Sequence, residues 1–373
     1  MSLARDIIDR IFFPGRDVHA IPVLDGGFSP NQRLEQAELL TSFQAPDSIA
    51  LGPDGRLYVS AGNAVHVCSG PRSETHDIFQ RTEAPAGALA WTLSGLLLVA
   101  VEGRGIQAFD RQGKRVAQLE TAGGVALGCV TAIAVASDGT IYATDGSRRN
   151  STSQWLVDLM QNRAGSGRLV ACAADLSGAR VLCDGLSWPA GVAVSHDESE
   201  VLLAEAWSHR LSAVAREDGA VHVLVKNFVG YPCRIARSSK GGYWVAFFAL
   251  RTQLTEFILR EPAFRMKMMA QVEPDLWIGP SLGGRLDYRE PTQIGRIKKL
   301  GIQKPWAPAR SYGLVARLEP DGSAAESLHS RVSGSLHGIT AVAEVGAALI
   351  AVSKGHGKLA SVPLTSAGEG AAA

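Results

Sequence analysis

Short alternating apolar runs, each broken by a turn centred on Gly or Asp, recur along the chain. One unit reads Asp47-Ser-Ile-Ala-Leu-Gly-Pro-Asp-Gly-Arg-Leu-Tyr-Val-Ser60, and the pattern returns at 87–100, 131–144, 190–204, 234–246 and 339–352. Alternation with period two marks a half-buried strand. The Gly or Asp at each break supplies the positive φ that a tight hairpin turn needs. A second hairpin follows most copies, as in Gly167-Arg-Leu-Val-Ala with 179–184, 209–214 with 220–225, and the stretch opening at Tyr312. Two hairpins make four strands, and the first three copies lie about 40 residues apart, the blade period of a β-propeller. Six copies predict an all-β fold, a six-bladed propeller over 34–366. The strand within Leu34-Glu-Gln-Ala-Glu-Leu-Leu-Thr-Ser-Phe43 is expected to complete the last blade and close the ring.

Two intervals exceed the period. The first contains Gln154-Trp-Leu-Val-Asp-Leu-Met160, with Trp155, Leu156 and Leu159 at helical spacing. The second, 251–311, is read as a helical insertion in the fifth-to-sixth blade region. Its opening carries Leu254, Phe257, Ile258, Phe264, Met268 and Met269, the pattern of an amphipathic helix broken at Pro262. That helix could pack over one propeller face, act as a lid on the central pocket, or meet a membrane surface or partner. The insertion holds 11 Lys/Arg against 6 Asp/Glu, net +5; the whole chain is 37 against 36, so the remainder is net −4. Residues 1–33 form an N-terminal extension and 367–373 a flexible tail.

Composition narrows the function classes. With 46 % hydrophobic and 20 % charged residues the chain of 373 is globular, and a charge near zero gives no case for nucleic acid. Forty glycines, above the usual 7 % or so, agree with many tight turns. Arg5, Asp6, Asp9 and Arg10 interrupt the apolar start where a signal peptide needs an unbroken core, and no run is long enough to span a membrane. The five cysteines are scattered without a zinc spacing, which suits reduced thiols and a cytoplasmic location. The sequence leaves the oligomeric state open.

In a propeller the innermost strands converge on the axis, so the residues opening each of them share one pocket, the expected seat of a small-molecule ligand. The repeat places Asp47, Gly87, Thr131, Ala190, Cys233 with Arg234, and His337 with Thr340 there.

The stretches Tyr142-Ala-Thr-Asp-Gly-Ser147, Asp184-Gly-Leu-Ser-Trp-Pro-Ala-Gly-Val192, Gly230-Tyr-Pro-Cys-Arg-Ile235 and Gly241-Gly-Tyr-Trp-Val-Ala246 resemble the strictosidine synthase-like family. The resemblance covers about 45–364. It implies a six-bladed propeller related to a condensing (Pictet–Spengler) enzyme and, more distantly, to calcium-dependent gluconolactonases and paraoxonases. The condensing enzyme's glutamate on the last inner strand is matched by Thr340, which cannot act as a carboxylate base. Of the hydrolases' calcium ligands, Asp47 matches the first-blade acid. Thr131 stands at the third-blade asparagine, Ala190 in the Pro-Asn-Gly-Val motif, and Cys233-Arg234 at the fifth-blade Asp-Asn pair. One clear oxygen ligand remains where calcium takes six to eight, so no cofactor is expected, with Asp47 the ligand if calcium binds.

These readings combine into a hydrolase of small esters, lactones or other acyl compounds with a remodelled axial site. A non-catalytic binding propeller and a bond-forming enzyme without the glutamate remain as alternatives. Arg234 should pair with Asp47 across the axis, either purely for stability or so as to bind a ligand carboxylate or carbonyl through its fork of donors. The candidate catalytic residues are His337, an acid or base or else a polar pocket wall, Asp47, and Cys233, a thiolate nucleophile or else a small core residue. Neighbouring strand residues alternate faces, so Cys233 and Arg234 can both reach the axis only through a bulge. Thr131, Thr340, Trp188 and His209 are candidate substrate contacts, with His209 at the pocket mouth. Asp145 and Glu205 are expected to cap turns and link blades.

Overall fold

The computed structural model describes residues 28–70, 73–161, 164–284, 298–299, 302–303, 310–332 and 334–364. The N-terminal extension to residue 27, most of 285–309 and the C-terminal tail lie outside the described residues. Six four-stranded antiparallel sheets surround one axis. The inner strands are Pro46–Leu51, Ala86–Trp91, Val130–Val135, Pro189–Val194, Gly230–Arg237 and Ile339–Val345 in blades one to six. Adjacent inner strands touch all the way around the ring. Blade six takes three strands from the end of the domain, and its outer strand is Glu38–Ser42, antiparallel to Lys358–Pro363 with Glu38 opposite Ser361. Joining first strand to last leaves the ring no open seam.

The alternation read from the sequence becomes packing between blades. Between blades three and four, Leu169 meets Val192, Val201 and Leu203. Between five and six, Trp244 and Val315 meet Val342 and Leu349. Middle strands such as Leu97–Val101 are buried along their whole length because both faces carry a neighbouring blade.

The register contains the feature that shapes the site. In blade one Pro46 pairs with Ala61 and Ser48 with Ser60, so Asp47 has no partner. The same slip isolates Thr131, Ala190 and Thr340. Gly87 and Ala88 share one position opposite Ala100, and Cys233 and Arg234 share one opposite Ala246. Every inner strand therefore carries a β-bulge at its axial residue. A bulge frees a residue from the ladder and re-aims its side chain, which is how Cys233 and Arg234 both reach the axis.

The insertion lies within blade five, between Tyr243–Leu250 and Leu314–Leu318, rather than between blades. It opens with helix α2 (Gln253–Arg260), capped by the Thr252 side chain accepting from the Thr255 N–H. Helix α3 (Pro262–Gln271) follows, the break falling at Pro262 as the sequence indicates. Ile258 and Met268 of these helices, with Trp277 just beyond them, pack in one buried cluster with Met160 of helix α1 (Trp155–Gln161), while Phe264 and Met266 face outward. No helix among the described residues is long and apolar enough to cross a membrane.

Candidate functional site

The six bulges meet at a cavity of about 150 Å³, lined by Asp47, Gly87, Thr131, Ala190, Cys233, Arg234 and Thr340 from the inner strands. Trp155, Trp188, Phe248, Leu282 and Val130 add apolar wall, and Glu102, Thr152, Ser153 and Lys354 add polar groups.

Asp47 is the hub. Arg234 Nη2 donates to Asp47 Oδ2, Arg234 Nη1 donates to the Asp47 backbone carbonyl at 2.7 Å, and Lys354 Nζ donates to Asp47 Oδ1 at 2.6 Å. Thr340 Oγ1 donates to the same carbonyl at 2.7 Å. Burial alone would raise the Asp47 carboxyl, but the Arg234 guanidinium and then the Lys354 ammonium hold it well below the usual carboxylate range. Asp47 is thus fixed as an anion with both oxygens engaged. Arg234 retains an Nε–H closed off from solvent and without an acceptor.

Thr131 donates from Oγ1 to the Pro189 carbonyl at 2.5 Å, tying blade three to blade four. Cys233 is buried, and burial raises its thiol, with nearby Arg234 pulling the other way. A raised thiol is protonated at neutral pH and makes a poor nucleophile.

The roof comes from the first insertion. Glu102 accepts from Thr152 Oγ1, from the Ser153 N–H at 2.9 Å and from Ser153 Oγ at 2.7 Å, which pins the start of helix α1 over the cavity. Asp158 anchors the same helix by accepting from Trp207 Nε1 at 2.9 Å and Ser147 Oγ at 2.6 Å. Behind the wall, Trp188 stacks on Trp207 with centroids 5.1 Å apart, and Trp155 meets Phe248 edge-on at 5.4 Å.

The structure brings Asp47, Thr131, Trp188, Cys233, Arg234 and Thr340 together, and does not bring His209 or His337. His337 is turned off the axis, with Nδ1 2.7 Å from Ser311 Oγ and Nε2 2.8 Å from the Arg331 carbonyl, so both nitrogens serve the blade-five to blade-six junction. His209 places Nδ1 3.2 Å from the Gly230 carbonyl and packs against Tyr231. Burial, then Arg251, lowers its pKa to about 4. Asp145 pairs with fully buried Arg168 within blade three, and Glu205 with Arg210 and Ser212 within blade four, so these ion pairs tie strands of one blade together rather than linking blades as the sequence suggests.

Lys354 and Glu102 escaped the sequence reading. Each is the residue just past a second strand whose last residue pairs with the start of its inner strand: Val101 with Ala86, Ser353 with Ile339. That shared repeat position was the available signal.

Calcium does not fit these residues. Both carboxylate oxygens of Asp47 face cations, and Thr131, Ala190, Cys233 and Arg234 supply no second carboxylate or amide. No group of three His, Cys, Asp or Glu among the described residues could hold a metal ion.

Fold and site together define a six-bladed propeller with a cavity on its axis. The family model for strictosidine synthase matches residues 131–215, and that for the strictosidine synthase-like N-terminal region matches 26–63. The adipocyte plasma membrane-associated protein of Homo sapiens is 32 % identical over 330 residues, covering 83 % of this chain and 73 % of that one. Strictosidine synthase-like protein 6 of Arabidopsis thaliana is 28 % identical over 194 residues, 52 % of each chain. The chain belongs to the strictosidine synthase-like family. A gluconolactonase structure from Xanthomonas campestris shares the fold, with a TM-score of 0.58 at 16 % identity over 88 % of this chain and 89 % of that one.

Proposed function

We propose that the protein is a metal-independent hydrolase of small esters, lactones or related acyl compounds, acting in the axial cavity. The observation that carries this reading is the pair of cations, Arg234 and Lys354, held on Asp47 beside the aromatic wall of the pocket. Donors fixed before the reaction stabilise negative charge as it develops on a carbonyl oxygen, and a low-dielectric wall strengthens them. Asp47 positions the two cations and balances part of their charge. The Trp155, Trp188 and Phe248 walls would hold the organic part of the substrate and exclude bulk water. The likeness in fold to a gluconolactonase is consistent with acyl chemistry, though fold alone does not assign it.

The test is turnover of 4-nitrophenyl acetate and δ-valerolactone in EDTA, by wild type and by Arg234→Met and Lys354→Met. Chelator-resistant hydrolysis that falls about 100-fold or more in both variants is expected, the loss typical of one oxyanion donor. Activity abolished by EDTA, or unchanged in both variants, overturns the reading. A second reading, a binding protein without turnover, is favoured by one observation: Asp47 is held too acidic to accept a proton readily. Ligand-induced thermal stabilisation with no hydrolysis of either compound would establish it.

A further inference from the structure

We propose that the axial cavity recognises small monocarboxylates with a planar, apolar body of about one six-membered ring, gripping the carboxylate between Arg234 and Lys354. The inference rests on the same reading of the cavity as a ligand site and names the acyl half of its ligand.

Charge supplies the first argument. Two cations meet one carboxylate, so the floor carries one positive charge in excess. Arg234 is only 14 % exposed in its side chain, and Asp47 16 %. Glu102, the other acid lining the cavity, is committed to Thr152 and Ser153 at the roof.

Donor geometry supplies the second. Arg234 spends Nη1 and Nη2 on Asp47, leaving Nε–H buried with no acceptor. An orphaned buried donor of this kind calls for a missing partner. The unused edge of the guanidinium, Nε with the second hydrogen of Nη2, has the spacing that pairs with a carboxylate. Lys354 gives Asp47 one of its three ammonium hydrogens, and its side chain is a third exposed.

Size and wall supply the third. The cavity holds about 150 Å³, the volume that accommodates one benzene ring in an apolar protein interior. Trp155, Trp188 and Phe248 suit a flat body. If esters are hydrolysed here, the acid product stays on the same cations and competes with substrate.

The experiment is calorimetric titration of benzoate and of benzyl alcohol, a neutral isostere, into wild type and Lys354→Met in EDTA at pH 7. Benzoate should bind wild type at least tenfold more tightly than benzyl alcohol. Lys354→Met should weaken benzoate about tenfold and leave benzyl alcohol unchanged. Should the variant fail to fold, benzoate affinity on wild type is measured from 20 to 500 mM salt, where it should fall while that of benzyl alcohol holds. Equal affinity for the two probes, no binding of either, or benzoate binding indifferent to both Lys354 and salt overturns the proposal. Benzoate binding without ester turnover would sink the hydrolase reading and leave this one standing; turnover without benzoate preference would do the reverse.

Discussion

Replacing Asp47 by Asn tests the axial network directly. The substitution keeps shape but gives the side chain one oxygen and one NH₂. Arg234 approaches Oδ2 and Lys354 approaches Oδ1, so whichever way the amide turns, its NH₂ faces a cationic donor. One charge-assisted bond is lost outright and one cation is left without its counter-ion. Removing one member of a buried pair costs about 3–5 kcal/mol. Asp47 is 16 % exposed, so the lower end, about 3 kcal/mol, applies at pH 7. The bonds to the Asp47 backbone carbonyl from Arg234 and Thr340 survive and limit the loss. The sign with pH follows from linkage. The folded carboxyl is held below its unfolded value of about 3.9. Its stabilisation is therefore complete above about pH 4 and is lost as pH falls from there through the folded value. Urea unfolding followed by tryptophan fluorescence should show a wild-type advantage of about 3 kcal/mol at pH 7 that shrinks below pH 4. An advantage under about 0.5 kcal/mol at pH 7, or one that stays constant down to pH 2.5, would refute the reasoning.

Other groups give independent tests. His209 has a folded pKa of about 4 against 6.5 unfolded, so its contribution is present above pH 6.5 and drains as pH falls towards 4, by about 3 kcal/mol. His209→Asn, which tolerates the local φ of 48°, should flatten that limb of the stability curve, and an unchanged curve counts against it. Arg168 donates to Asp145 and to the carbonyls of Ala122, Val125 and Ala126. Arg168→Met strands a buried carboxylate and should cost about 3–5 kcal/mol, read as a lower urea midpoint; a loss below 1 kcal/mol contradicts the pairing. Glu102→Gln should speed amide exchange in Trp155–Gln161 at least tenfold while blade strands stay protected, and uniform protection would show that Glu102 does not hold that helix. Cys233→Ser should retain any hydrolysis within about threefold, since the raised thiol is not the nucleophile; loss of turnover with retained ligand binding would reverse that assignment.

The fold was legible because a propeller repeats its own grammar. An apolar run, a Gly or Asp turn and an alternating strand recur six times, and the single strand before Phe43 closes the ring. The pairing of Asp47 with Arg234 followed from position in that repeat, since bulges put equivalent residues of different blades on one axis. The histidines were misjudged for a geometric reason. His337 stands only three residues before Thr340, yet it precedes the inner strand, and Gly338 at φ 59° turns the chain between them. His209 follows the turn after Glu205, and nothing in its sequence neighbourhood announces the blade-five helix whose Glu256 faces it at 3.7 Å. Lys354 is not legible from the inner-strand repeat because it follows the second strand of its blade, whose end reaches the same axis from one residue further out.

The axial arrangement differs from a metal site in what it can do as well as in what it contains. A bound cation exchanges with solvent and collects ligands from many directions. Arg234 and Lys354 are tethered, so the charge is permanent and its donors point along directions fixed by the Asp47 network. Guanidinium N–H groups lie in one plane, which under the proposed function suits a flat acceptor such as a carboxylate or carbonyl edge. The walls agree with that preference: Trp155, Trp188, Phe248 and Leu282 offer contact area and no hydrogen bonds beyond the indole N–H groups. Building a metal site here would take more than one substitution. Removing Arg234 frees one oxygen of Asp47 but leaves Lys354 on the other, with Thr131 still committed to Pro189 and Ala190 offering no side-chain ligand. The side chains around the axis are therefore coupled through Asp47, which Arg234, Lys354 and Thr340 all contact.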